Sequence, residues 1–133
     1  MAVPLSTVVI TSHGALHHDP PPGLRPVLVD AAPLPYPAVG TSRHGHRPSG
    51  RDRAVRDYVI RSPAGQRAVR QALERIRQRI GPSGRLDVHV RSPHGHIRAP
   101  AVAEELADRL RAAGVTVHVE HRHLGRPDPS ADR

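Results

Sequence analysis

Leu86-Asp-Val-His-Val-Arg-Ser-Pro-His-Gly-His-Ile-Arg-Ala-Pro-Ala-Val-Ala-Glu-Glu-Leu-Ala-Asp-Arg-Leu-Arg-Ala-Ala-Gly114-Val-Thr-Val-His-Val119 is the stretch that decides the fold. Leu86, Val88 and Val90 alternate with Asp87, His89 and Arg91, the period of a strand. Residues 92–98, Ser-Pro-His-Gly-His-Ile-Arg, break that period and read as a loop. From about Ala99 to Ala113 a helix gathers Val102, Ala103, Leu106, Ala107 and Leu110 on one face. Gly114 follows where a helix end wants a residue at positive φ. Val115, Val117 and Val119 then alternate with Thr116, His118 and Glu120. Strand, loop, helix, glycine and strand make a βαβ unit, with parallel strands and a right-handed crossover.

Upstream, Leu5–Thr11 is a β-branched run that predicts a first strand turning at Ser12-His13-Gly14. Three consecutive prolines, Pro20 to Pro22, make the next stretch a loop, and Val27–Ala31 predicts a second strand. Residues 38–53 offer little to bury and read as a long mobile loop. Asp52 is placed to cap a helix through about Ile60. Ser62-Pro63 then starts another, whose stripe is Val69, Leu73, Ile76 and Ile80 and whose stop is Gly81-Pro82. The expectation is an α/β domain over residues 1–124, with a small mixed sheet of about four strands, about three helices and the C-terminal βαβ unit. Residues 125–133 are expected to be a disordered tail.

Composition narrows the chemistry. The chain has 133 residues, 20 basic side chains that are all Arg, 12 acids and a formal charge of +8. Zero Cys removes disulfides, thiolate nucleophiles and Cys-bound metals. Without Lys there is no Walker A loop and no Schiff base. Neither a membrane span nor a signal peptide is readable, so a cytoplasmic location and no membrane partner are expected. No catalytic residue, cofactor or metal is assigned. The His-x-His pairs at 44/46, 94/96 and 121/123 read as surface polar positions in a chain that lacks Lys and Asn.

The loop 92–98 is the site candidate. It lies at the carboxyl end of a parallel strand and runs into a helix N-terminus, where amides and the helix dipole favour an anion. Gly95 permits close backbone approach, Arg98 presents a two-pronged donor, and His94 and His96 add ring donors. Ser92 to Arg98 also has the spacing of a Cys-x5-Arg phosphatase loop, with the far weaker Ser nucleophile in place of Cys.

These residues resemble a family. Val88 through Gly114 is similar to the C-terminal domain of the RNase adapter RapZ, which has a strand, a Gly-Cys-Thr-Gly-Gly-x-His-Arg-Ser loop and a helix containing Ala-Glu-x-Leu. Ile10-Thr-Ser-His-Gly14 with His17 resembles its Thr-Ser-Phe-Gly-x-x-His opening. Asp30 to Pro37 resembles its Asp-x-Arg-x-Leu-x-Asn-Pro segment, and His121-Arg-His-Leu124 its His-Arg-x-Leu ending. Arg47-Pro48, Gly50, Asp52, Val55 and Tyr58-Val59 follow the same order, so the landmarks run from about Val8 to Leu124. The resemblance implies a phosphosugar-sensing, RNA-binding domain that forms homo-oligomers, without the family's N-terminal nucleotide-binding domain. It places the small anionic ligand, phosphate or a sugar phosphate, against Ser92, His94, Gly95, His96 and Arg98, with His13 and His17 approaching from the first strand. The loop departs from the family at Ser92 for Cys, Pro93 for Thr, His94 for Gly, Ile97 for His and Ala99 for Ser. Ala32 and Tyr36 stand in place of Arg and Asn. Each donor lost costs an anion about 1–3 kcal/mol.

Charge is distributed unevenly. Residues 43–98 hold 14 Arg against 4 acids, and the rest of the chain 6 Arg against 8 acids. Arg67, Arg70, Arg75 and Arg77 on the polar side of the second helix are the expected RNA contacts. Only Tyr36 and Tyr58 can stack on bases, so any RNA mode is sequence-tolerant and salt-dependent. The expected function is a non-catalytic anion- or phosphosugar-binding domain. The alternatives are a basic RNA-binding or protein-interaction module with a vestigial pocket, or a Ser-based phosphatase-like loop.

Overall fold

Small apolar side chains at every second position of four segments give each segment one face to bury, and the four bury it together. The computed structural model describes residues 6–37, 48–82 and 84–126. In order they form β1 (Thr7–Gly14), β2 (Val27–Asp30), α1 (Arg53–Arg61), α2 (Pro63–Arg79), β3 (Arg85–Ser92), α3 (Arg98–Ala112) and β4 (Thr116–His121). A 3-10 turn, Ala15–His17, follows β1. The strand order is β2-β3-β1-β4. The α/β architecture, the four strands, the three helices and the βαβ unit β3-α3-β4 are as expected. Every pairing is parallel, so the sheet is uniform in direction and not mixed. The cause is that, among the described residues, consecutive strands are not joined by hairpins, and β1 inserts between the strands of the βαβ unit.

One face of the sheet carries the core. Val8 and Ile10, Val27 and Val29, Leu86, Val88 and Val90, and Val117 pack against Val55, Val59, Val69, Leu73, Ile76, Val102, Leu106 and Leu110 of the helices. The α2 stripe read from the sequence is therefore its buried side. Ser62 caps α2 by accepting from Gly65 N at 2.9 Å. Gly114, at φ +87°, closes α3, with Val115 N donating to Leu110 O at 3.0 Å. Asp52 precedes α1 as expected but turns its carboxylate back, accepting from Ser49 N at 2.6 Å and capping no helix amide.

The other face of the sheet is only partly solvated. Asp87 and His89 are buried beneath the segment joining β1 to β2. A Cβ on Gly23 would stand 2.9 Å from the His89 ring and 3.3 Å from Asp87 Cβ. The chain thus leaves β1 over one face of the sheet and leaves β3 over the other, through α3. Neighbouring strands whose connections part to opposite faces leave a crevice beyond their carboxyl ends, where open α/β sheets bind ligands.

The first strand outruns its expected end, because Ser12, His13 and Gly14 stay paired to Val90, Arg91 and Ser92. Residues 38–47 of the expected mobile loop lie outside the described residues. Residues 48–52 pack on the start of α3, with Gly50 N donating to His96 O at 2.9 Å. Residues 127–133 of the expected tail also lie outside the described residues. Among the described residues no helix is long and apolar enough to cross a membrane.

Candidate anion-binding site

The crevice is built by backbone meeting backbone. Gly14 ends β1 and Ser92 ends β3 at the same register position. A Cβ on Gly14 would fall 2.5 Å from the His94 carbonyl, and one on Gly95 would fall 2.4 Å from Gly14 N. Gly95 sits at φ +73°, which glycine adopts without strain. Leu16 N donates to Pro93 O at 2.9 Å, so the turn after β1 and the loop after β3 are joined. A third segment arrives from residues 48–52. A Cβ on Gly50 would overlap Ile97 O at 2.0 Å.

The expected site residues divide into those that face the crevice and those that build it. Ser92 is 3% exposed and accepts from Ala99 N at 3.3 Å, satisfying a first-turn amide of α3. His96 is buried; its carbonyl holds Gly50 N, and its Nδ1 accepts from Gly125 N at 3.4 Å. His94 contributes its backbone to the contact with Gly14. Arg98 opens α3 and donates from Nη1 to Ala32 O at 2.5 Å. Its guanidinium lies 5.0 Å from the Tyr36 ring centroid, and its Nε is buried with no hydrogen-bond partner among the described residues. Ala32, whose carbonyl Arg98 holds, lines a cavity of about 240 Å³ with Ala15, Leu16, Asp30, Arg91, Ser92 and Pro93.

The two upstream histidines part company. His17 stays at the crevice, its ring stacked on His123 with centroids 4.1 Å apart. The His13 imidazole turns to the opposite face of the sheet, edge-on to His89 at 6.2 Å, and lines a second cavity of about 310 Å³ with Pro20, Leu28 and Arg91. Burial, His89 and His123 push the His13 pKa down to about 4. The ring is neutral in the folded chain and protonates near its ordinary value when unfolded. Its contribution to stability is complete above about pH 6.5 and drains away as pH falls towards about 4. The urea midpoint is expected to fall across that window and to fall less in a His13→Gln chain.

Ser12, Asp19, Glu104, His121, Arg122 and His123 also take part in this arrangement, and the sequence reading assigned none of them to the site. Ser12 Oγ lies 2.7 Å from His121 Nδ1, and His121 Nε2 lies 3.6 Å from Glu104 Oε1. This has the order of a serine–histidine–acid relay, but Ser12 is wholly buried and has no path to a substrate. His123 accepts from Gly14 N at 2.8 Å. Asp19 receives Arg122 at 2.8 Å, and that guanidinium holds its carboxyl below the usual range. The signal for these residues lay in the His121-Arg-His-Leu124 ending, where alternation alone puts both histidines on one side of a strand. The strand ends at His121, so His121 faces α3 and His123 faces the end of β1.

The model of the RapZ C-terminal domain family matches residues 6–125. The chain belongs to that family. A nucleotide-binding protein of Frankia casuarinae is 40% identical over 83 residues, which is 59% of this chain and 29% of that protein. Another, from Parafrankia, is 41% identical over a stretch of the same length, and one from Thermobifida fusca is 35% identical. The chain covers less than a third of the length of these relatives. Within the RapZ C-terminal domain match lie Gly14 and Gly95, the loop 92–98 with Arg98, and the His121-Arg-His-Leu124 ending.

The basic segment is less exposed as charge than its count suggests. Arg56 pairs with Glu105 at 3.0 Å and with Asp108 at 2.5 Å, Arg51 with Glu104 at 3.6 Å, and Arg91 with Asp30 at 3.8 Å. Arg75 donates to Leu28 O at 2.6 Å, and Arg79 to Arg25 O, along the edge of β2. Arg67, Arg70 and Arg77 remain exposed on α2, with no ion pair among the described residues.

Proposed function

We propose that this domain is a non-catalytic binding module for a small phosphate-bearing ligand, a sugar phosphate, held at the crevice between β1 and β3. The observation that carries this reading is the half-used guanidinium of Arg98. One prong, Nη1, is spent on Ala32 O, while Nε has no partner among the described residues and the side chain, on the first residue of α3, is only partly buried. A guanidinium so placed is oriented in advance and has donors to spare for phosphate oxygens. The absence of catalysis is supported by Ser92, whose hydroxyl is buried and occupied with the Ala99 amide. Self-association is supported by Leu24 and Leu28, which are 85% and 62% exposed on and beside the edge strand.

The test is a titration of the domain with glucosamine 6-phosphate and inorganic phosphate, followed by calorimetry and thermal unfolding. Saturation at about a hundredfold over Kd stabilises by about 2.7 kcal/mol. No stabilisation by either ligand would remove the reading.

A second reading, RNA binding, is favoured by Arg67, Arg70 and Arg77 lying exposed on one helix. With about three phosphates neutralised, log affinity should fall with log salt at a slope of about −2 to −3. Filter binding at two salt concentrations reads this directly, and a salt-independent affinity rules it out.

A further inference from the structure

At the end of β1 a backbone amide is held by a side chain that can hold it in only one protonation state. Gly14 N–H donates to His123 Nδ1 at 2.8 Å, and the imidazole is 1% exposed. An imidazolium carries protons on both ring nitrogens, so no rotation of the ring restores an acceptor for Gly14. His17 lies flat on the same ring, 8° from parallel, with its Nε2 buried and unbonded among the described residues. Asp19 is the carboxylate within reach: its Oδ2 lies 3.4 Å from His123 Nε2, while its Oδ1 holds Arg122 at 2.8 Å. Burial, His17 and Arg126 push the His123 ring down from its ordinary value against the pull of Asp19. Across the sheet His13 faces the same cluster, with His89, Arg91 and Arg122 around it.

Gly14 is also the contact on which the anion loop rests. Its Cα has no room for a side chain between the His94 carbonyl and the His17 ring, and Gly95 packs on its amide. Beyond it, Leu16 N ties the turn to Pro93 O. We propose that His123, stacked on His17, is a proton-operated latch on the loop: neutral, it clamps Gly14 against His94, and protonated, it frees the end of β1 from residues 93–97. As regulation of ligand binding, the latch rests on the reading of that loop as the binding site. As a conformational step it does not.

Hydrogen exchange of the free domain tests the latch. Corrected for intrinsic chemistry, amides 94–97 should exchange about tenfold faster at about pH 5 than at about pH 7.5, while amides of α2 change little. A His123→Gln chain keeps an acceptor for Gly14 at every pH and should show no such step. Should that chain lose α2 protection, His17→Gln serves in its place. Removing the ring that opposes the charge should move the step to higher pH. A step of the same size and midpoint in the variants, or none in the native chain, overturns the latch. The phosphate titration fails separately: a chain that shows the step and binds no phosphate has the latch, and one that binds phosphate without the step lacks it.

Discussion

A Gly95→Ala chain is expected to lose about 2–5 kcal/mol of folding stability, a large share of the roughly 5–15 kcal/mol a domain has. Two costs add. Gly95 lies at φ +73°, where an L side chain is disfavoured by about 1–2 kcal/mol. The new Cβ would also stand 2.4 Å from Gly14 N and 2.7 Å from His13 C. Both are backbone atoms of a central strand, so nothing can swing aside, and overpacking of this kind costs about 1–3 kcal/mol. Gly114→Ala is the control. Gly114 has a similar φ of +87° with nothing within 4 Å of the added atom, so only the conformational cost applies. Urea unfolding of the two variants separates the terms, and equal losses would mean that β1 and the loop are not in contact.

Arg98→Ala is expected to weaken phosphate binding about ten- to a hundredfold, the value of one hydrogen-bonded charge at roughly 1.5–3 kcal/mol. The substitution also removes the bond to Ala32 O and the stack on Tyr36, so thermal unfolding must accompany the titration. Arg98→Lys keeps the charge but cannot hold Ala32 and a phosphate oxygen with one planar group; it should recover part of the affinity. Unchanged affinity in Arg98→Ala would move the anion site away from α3.

The legible parts of this fold are those fixed by near neighbours in the chain. Leu86, Val88 and Val90 announce a strand, Ser62-Pro63 and Gly114 announce helix ends, and each is where the sequence puts it. The loop 92–98 was legible as a candidate site because its glycine and arginine fall between a strand and a helix. Its inner division was not. Ser92 and Arg98 read alike as ligand contacts, yet Ser92 is spent on the Ala99 amide and Arg98 keeps a free nitrogen. Alternation set Asp87 and His89 opposite Val88 without saying what lies over them, and what covers them is Pro20 and Gly23 from another part of the chain.

The same boundary runs through the charge. By itself the sequence determined how much charge there is and that residues 43–98 carry the excess of Arg. Only the tertiary structure decided which of it is free, because ion pairing depends on distance in space. Glu104, Glu105 and Asp108 of α3 and Asp30 of β2 come back onto Arg51, Arg56 and Arg91, while among the described residues Arg53 of α1 and Arg67, Arg70 and Arg77 of α2 stay exposed. The histidines follow the same rule. A run of residues fixes that His121 and His123 are two apart, and the point where β4 stops fixes that one meets Ser12 and the other Gly14.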